Sequence, residues 1–349
     1  MKHNWQYISF LIVVMFLLVS CPSGGSININ REAGFAEQKI LVERYFSGTK
    51  EKDEETKSKK IVLNAAELGF DPLDSTVILQ KCFDSDADVV MVPRMESPWI
   101  TLPLRISRPM TVIFEEGSIL EAKRGEYHNG GDSLLTISNT SDVSLYGYGA
   151  RFRMFKEDYR EPPYKKAEWR MTIAVRGSEN ILIAGLQAEN SGGDGIYLGR
   201  GQDDKTNINI HIKDVVLKNH YRQGISIITV DGLVIENSFI EDTEGTPPSA
   251  GIDFEPNNPD EIIRRVLVKN CVIRGNYGAG IQGYFKNSNK GSEPFDITVE
   301  NCTVRDNLLP VFFLGFEQGA RGKLVLTNND LFGFSLIPQI PEQLEIIKK

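Results

Sequence analysis

The chain has 349 residues, 41% hydrophobic and 25% charged, with a formal net charge of −8. Acids and bases are interspersed with no basic stripe, which argues against a nucleic-acid binder. Of four cysteines, one falls in the first 21 residues; the other three, Cys82, Cys271 and Cys302, cannot all pair, which excludes a disulfide scaffold.

In chain order, Lys2 gives a basic start and Trp5 to Val19 a short apolar stretch. That length reads as a secretory signal, since a spanning helix needs about 20 apolar residues. Leu18-Val19-Ser20-Cys21 resembles the lipobox of bacterial lipoproteins. The resemblance implies a signal peptide over 1–21, a lipidated Cys21, and an exported protein anchored to the cell envelope, expected at the outer membrane. Residues 22–60, which include GTKEKDEETKSKK (48–60), read as a polar linker. Residues 61–337 read as one globular unit and 338–349 as a tail.

Within that unit the chain repeats. ILIAGLQAEN (181–190), IHIKDVVLKN (210–219), LVIENSFIED (233–242), VLVKNCVIRG (266–275) and ITVENCTVRD (297–306) align, with a weaker copy at LVLTNNDLFG (324–333). Ile183, Ile212, Ile235, Val268 and Val299 share one register; Gly185, Asp214, Asn237, Asn270 and Asn301 share another. Alternation of period two and many β-branched residues predict strands with no helices between them. Short β repeats that cannot bury their own apolar face must stack on their neighbours. The predicted fold is therefore all-β: a single-stranded parallel β-helix of seven to nine coils, each about 4.8 Å from the next. Cys271 and Cys302 become stacked buried thiols, near enough for a disulfide.

A further strand follows in each coil: GIYLG (195–199), GISII (224–228), GIDFE (251–255), GIQGY (280–284) and VFFLG (311–315). Ile196, Ile225, Ile252, Ile281 and Phe312 should face inward, as should Leu198, Ile227, Phe254 and Leu314. Alternation then places Tyr197, Ser226, Asp253 and Gln282 in one outward row and Gly199, Ile228, Glu255 and Tyr284 in the next. Asp253 and Glu255 thus share an outer face.

The stretches AAELGFDPLDSTVILQKCFDSDADVVMVP (65–93) and PLRISRPMTVIFEEGSILEAK (103–123) resemble the entry region of the pectin-lyase-like superfamily of right-handed β-helices. The resemblance implies a right-handed coil, an N-terminal cap helix at about Ser75–Phe83, and a first full coil at VSLYGYGARFRM (143–154). It points to carbohydrate-active or adhesive proteins without choosing a reaction. NSGGDGIYLG (190–199) is similar to the segment that carries a catalytic aspartate in polygalacturonase-like hydrolases, and Asp194 is the matching position. The chain departs from those enzymes in the next coil, HYRQGISI (220–227), which lacks their paired aspartates. It also has SAGIDF where they have Gly-His-Gly.

The residues predict a candidate site on the outer face. EGTPP before Ile252 lengthens that coil, and an insertion beside a strand builds a cleft wall. Asp253 and Glu255 form a carboxylate pair suited to glycosidic cleavage. Asp194 either reaches the cleft or stabilises a glycine-rich turn. Arg222 can bind a carboxylate bidentately, and His220 can act as acid or base or bond a turn carbonyl. Tyr197, Ser226, Gln282, Tyr284 and Glu244 are the candidate substrate-binding residues, and Asp242 reads as structural. Asp203 and Asp204 offer weak support for calcium, so no cofactor and no metal site are expected. The expected partners are a polysaccharide or oligosaccharide and, through Cys21, a membrane; the chain is expected to be a monomer. Hydrolysis by the carboxylate pair is the favoured activity. Polysaccharide β-elimination using Arg222, His220 or Tyr284 is one alternative, and glycan binding or adhesion without catalysis is the other.

Overall fold

The computed structural model describes residues 29–46 and 60–333, together with the backbone of strand Leu344–Lys348. The signal segment and Cys21 lie outside the described residues. All named strands fall into three parallel sheets of 11, 9 and 8 strands. The chain visits the three sheets in rotation, and the eight strands of the third sheet mark eight complete coils. The architecture is a parallel β-helix.

Register follows the repeats. Ile183 pairs with Ile212, Ile212 with Ile235, Ile235 with Val268, and Val268 with Val299. All five are buried in one continuous core. Between the first and second sheets the chain turns on Gly185, Asp214, Asn237, Asn270 and Asn301, each at positive φ. Asparagine, aspartate and glycine tolerate that left-handed conformation best. Side-chain bonds run up this ladder, as from Asn270 Nδ2 to Asn237 Oδ1 at 3.3 Å. Asp242 belongs to a second such ladder with Asn190 and Asn219. Cys271 and Cys302 are buried free thiols, not a disulfide.

Four expectations are corrected. In the eighth coil Ile281 pairs with Val311 and Gln282 with Phe312, so Val311 and Phe313 fill the core, not Phe312 and Leu314. Without the glycine that marks the earlier strands, the alignment slipped by one residue, and a slip of one exchanges the faces. Coils also begin before residue 143, with strands Val89–Val92, Trp99–Thr101 and Leu104–Ile106. Within the linker, Glu32–Phe46 forms helix α1. Gln38 anchors it, donating to the carbonyls of Phe114 and Tyr148 (both 3.2 Å) and accepting from Tyr148 N (2.8 Å). Helix α1 shows no strong apolar stripe, and its place comes from polar contacts with a distant turn. Helix α2, Thr76–Asp84, buries Leu79, Cys82 and Phe83 at the N-terminal end of the core. The fourth correction concerns insertions, and it reshapes the site.

Candidate active site

The strand Ile252–Phe254 belongs to the third sheet, between Ile225–Ile227 and Ala279–Tyr284. Ile252 and Phe254 enter the core, so Asp253 and Glu255 turn outward. Glycines at 195, 224, 251 and 280 open the successive strands. At Gly251 an added Cβ would lie 2.7 Å from the Gly280 carbonyl oxygen. The coils stack too closely there for a side chain.

Two inserted segments line one side of this sheet. The 242–251 loop is the one expected from EGTPP. The segment 154–172, between strands Arg151–Arg153 and Ile173–Arg176, is longer. The two segments touch: Thr246 Oγ1 donates to Glu168 Oε2 at 3.1 Å, and Lys156 Nζ donates to the Glu244 carbonyl at 3.0 Å. The opposite side is formed by loops 200–206, 255–262 and 285–294. Arg200 joins the first two, lying 2.9 Å from Asp204, 2.5 Å from Asp260 and 2.7 Å from Glu261. Asp204 is therefore an ion-pair partner. Among the described residues, no cluster of three or more His, Cys, Asp and Glu side chains could hold a metal ion.

Arg222 occupies the middle. Its Nη2 lies 2.7 Å from Glu255, its Nη1 3.8 Å from Asp194 and its Nε 4.0 Å from Glu168. Burial works against its positive charge, but the charges of Asp194, Glu255 and Asp253 outweigh that and raise its pKa. Asp253 is fully buried. It accepts from Gln223 Nε2 at 2.6 Å and from Gln282 Nε2 at 3.1 Å. Burial, and then the Glu255 charge, push its pKa well above the usual carboxylate range. Asp194 is also buried, and neither of its oxygens accepts a hydrogen bond. Burial raises its pKa to about 7, against the opposing pull of Arg222.

The structure brings Asp194, Arg222, Asp253 and Glu255 together, with Gln282 bonded to Asp253, and gives the other predicted residues different places. His220 is buried at a turn with its Nδ1 2.8 Å from Ser191 Oγ; burial lowers its pKa to about 3, so it is a neutral turn residue. Ser226 and Gln282 face outward in register but are covered, and Gln282 serves Asp253. Tyr197 is overlaid by the Arg176 guanidinium, 4.6 Å from its ring centre, leaving that face unavailable to a sugar. Tyr284 follows the strand position paired with Phe254 and is partly exposed. The Glu244 side chain is exposed, and its backbone carbonyl accepts from Lys156 Nζ. Sequence reasoning missed Glu168 and Gln223. The unassigned length between residues 154 and 173 was the available signal for Glu168. Gln223 had none, since it looks like any residue preceding a strand.

The Asp194 burial has a measurable consequence. In the unfolded chain an aspartate ionises near pH 4. In the folded protein it holds its proton to about pH 7. Its stabilising contribution is complete below pH 4 and is lost as pH rises through 7. Asp194→Asn should therefore match wild type in stability at pH 4 and exceed it at pH 8 by on the order of a few kcal/mol, read as a higher melting temperature at pH 8 only. Parallel melting curves across that range would refute the assignment.

The fold is a parallel β-helix that carries a carboxylate-lined outer face. A family model described as a right handed beta helix region matches residues 171–335. The SPbeta prophage-derived uncharacterized protein YorA of Bacillus subtilis (strain 168) is 22% identical over 231 residues. The alignment covers 63% of this chain and only 34% of that relative's length. Among solved structures, the tailspike protein gp49 of Acinetobacter baumannii bacteriophage Fri1, a capsular polysaccharide depolymerase, aligns with TM-score 0.52 and 13% identity, covering 83% of this chain and 58% of its own. The iota-carrageenase from A. fortis aligns with TM-score 0.55 and 12% identity, covering 78% and 72%.

Proposed function

We propose that the protein hydrolyses glycosidic bonds of a polysaccharide laid across the outer face of the third sheet. The carrying observation is the single Arg222 guanidinium surrounded by Glu168, Asp194 and Glu255, with Asp253 beneath. Glycosidic hydrolysis needs one carboxyl group that gives a proton and one carboxylate that receives it. Burial separates the acids here: Asp194 and Asp253 are closed to solvent, while Glu255 and Glu168 stay partly exposed beside Arg222. Two β-helix proteins of the same fold, a capsular polysaccharide depolymerase and an iota-carrageenase, support the choice of a polysaccharide. β-Elimination is less well supported, because Arg222 is already held by Glu255 at 2.7 Å and does not offer itself to a substrate uronate.

The test is digestion of a panel of purified polysaccharides. Hydrolysis predicts new reducing ends without near-ultraviolet absorbance. Absorbance from a new double bond would establish elimination, and neither signal would leave binding as the role. We further propose that this takes place at the cell envelope, on the strength of Leu18-Val19-Ser20-Cys21. Cys21→Ser should move the protein from the membrane to the soluble fraction, or block its processing; unchanged partitioning would remove the anchor.

A further inference from the structure

We propose that Glu168 is a catalytic residue of this site, the proton donor to the leaving oxygen, working opposite Glu255. The proposal rests on the hydrolytic reading of the site. Of the four acids near Arg222, Asp194 and Asp253 are closed to solvent, while the Glu168 and Glu255 side chains are 33% and 20% exposed. Only those two can touch a substrate in this conformation. They meet different nitrogens of one guanidinium, Glu255 at 2.7 Å and Glu168 at 4.0 Å. The close contact with Arg222 fixes Glu255 in place as the proton acceptor of the pair. Glu168 is held more loosely by Arg222, its nearer contact being the Thr246 hydroxyl at 3.1 Å.

The loop that carries Glu168 is built to stay in place. Arg170 is fully buried and donates to the carbonyls of Tyr127 (2.8 Å), Lys165 (3.0 Å) and His128 (3.4 Å). Its guanidinium lies 5.4 Å from the Tyr159 ring centre and 5.6 Å from that of Tyr164. Arg170 also bridges to Gly192, where an added Cβ would meet Tyr159 and Arg170. Trp169, between these two residues, is 51% exposed and offers an indole surface to a sugar ring at the rim.

In the step, Glu168 protonates the glycosidic oxygen as the bond from that oxygen to the anomeric carbon breaks. Water forms the new bond to that carbon while Glu255 takes its proton. Proton exchange with solvent then restores both side chains, and the net change is addition of one water.

The experiment compares Glu168→Gln and Glu255→Gln on the polysaccharide cleaved by wild type and on a dinitrophenyl glycoside of its product. The dinitrophenolate leaves without protonation. Glu168→Gln should lower kcat on the polymer by about 100-fold or more and change dinitrophenyl glycoside turnover far less. Glu255→Gln should impair both. Added formate should partly restore polymer cleavage by Glu168→Ala, which a role confined to holding the loop would not allow. Equal losses by Glu168→Gln on the two substrates, or full activity on the polymer while Glu255→Gln is inactive, would overturn the assignment and leave the hydrolytic reading intact. Full activity in both variants would instead remove this site from the reaction.

Discussion

Glu255→Gln is expected to lower turnover by about two to four orders of magnitude, the usual worth of a positioned acid or base. The substitution keeps the shape of the side chain and removes its charge. Glu255 is partly exposed and sits at the end of its strand, so it contributes little apolar burial. Its side chain accepts a hydrogen bond from Arg222 Nη2 at 2.7 Å. Loss of the Glu255 charge removes one of the causes that raise the Asp194 pKa, so Asp194, 3.8 Å from Arg222, ionises more readily and takes over part of the pairing. The melting temperature should fall by several degrees without loss of the fold, since the cost of removing one partner of a largely buried pair, about 3–5 kcal/mol at most, is partly offset by Asp194. The measurement is kcat on the cleaved polysaccharide beside a thermal melt. Full activity would refute the role, and gross unfolding would show that the ion pair holds the fold together.

Gly251→Val should damage the fold severely. The added Cβ would lie 2.6 Å from Ile273 Cγ2, 2.7 Å from the Gly280 carbonyl oxygen and 2.9 Å from Asn276 Nδ2. Two of these belong to neighbouring packed structure that cannot swing aside, and one is backbone. Relief requires the strand Ile252–Phe254 to separate from Ala279–Tyr284, the pairing that sets Asp253 against Gln282. Overpacking a rigid interior costs roughly 1–3 kcal/mol, and a clash with backbone belongs at or above the top of that range. Chemical denaturation should show the loss. Activity should fall with it, since the same strand carries Asp253 and leads into Glu255. A variant as stable as wild type would mean that the coils at this corner can spread, contrary to the stacking described.

The glycine at this corner was legible as a motif before it had a physical meaning. GIYLG, GISII, GIDFE and GIQGY set the inward positions of four successive strands correctly. The fifth, VFFLG, lacks the marker, and the predicted register slipped there by one residue. The asparagine ladder was legible for a related reason: a sharp turn at positive φ admits few residue types, so the constraint is written locally. Helix α1 was not legible, because its anchor, Gln38, is an ordinary polar residue until it meets Phe114 and Tyr148 across the fold.

By itself the sequence determined the repeat, the parallel β-helix and the outward direction of Asp253 and Glu255. Side-chain alternation is a property of the strand backbone, and stacking is forced on repeats that cannot bury their own apolar faces. Only the tertiary structure decided which outward residues remain accessible. Asp253 and Ser226 point away from the core and are nevertheless buried, under neighbouring side chains and inserted loops. His220, equally plausible in the sequence, is turned to Ser191 inside a bend. Glu168 reaches Arg222 because Arg170 fixes an irregular loop through backbone carbonyls, and contacts of that kind have no period along the chain to read. The protonation of Asp194 and Asp253 is likewise a tertiary property: a carboxyl group's hold on its proton follows from how far water is excluded and which charges lie near it, and both are set by segments distant in sequence.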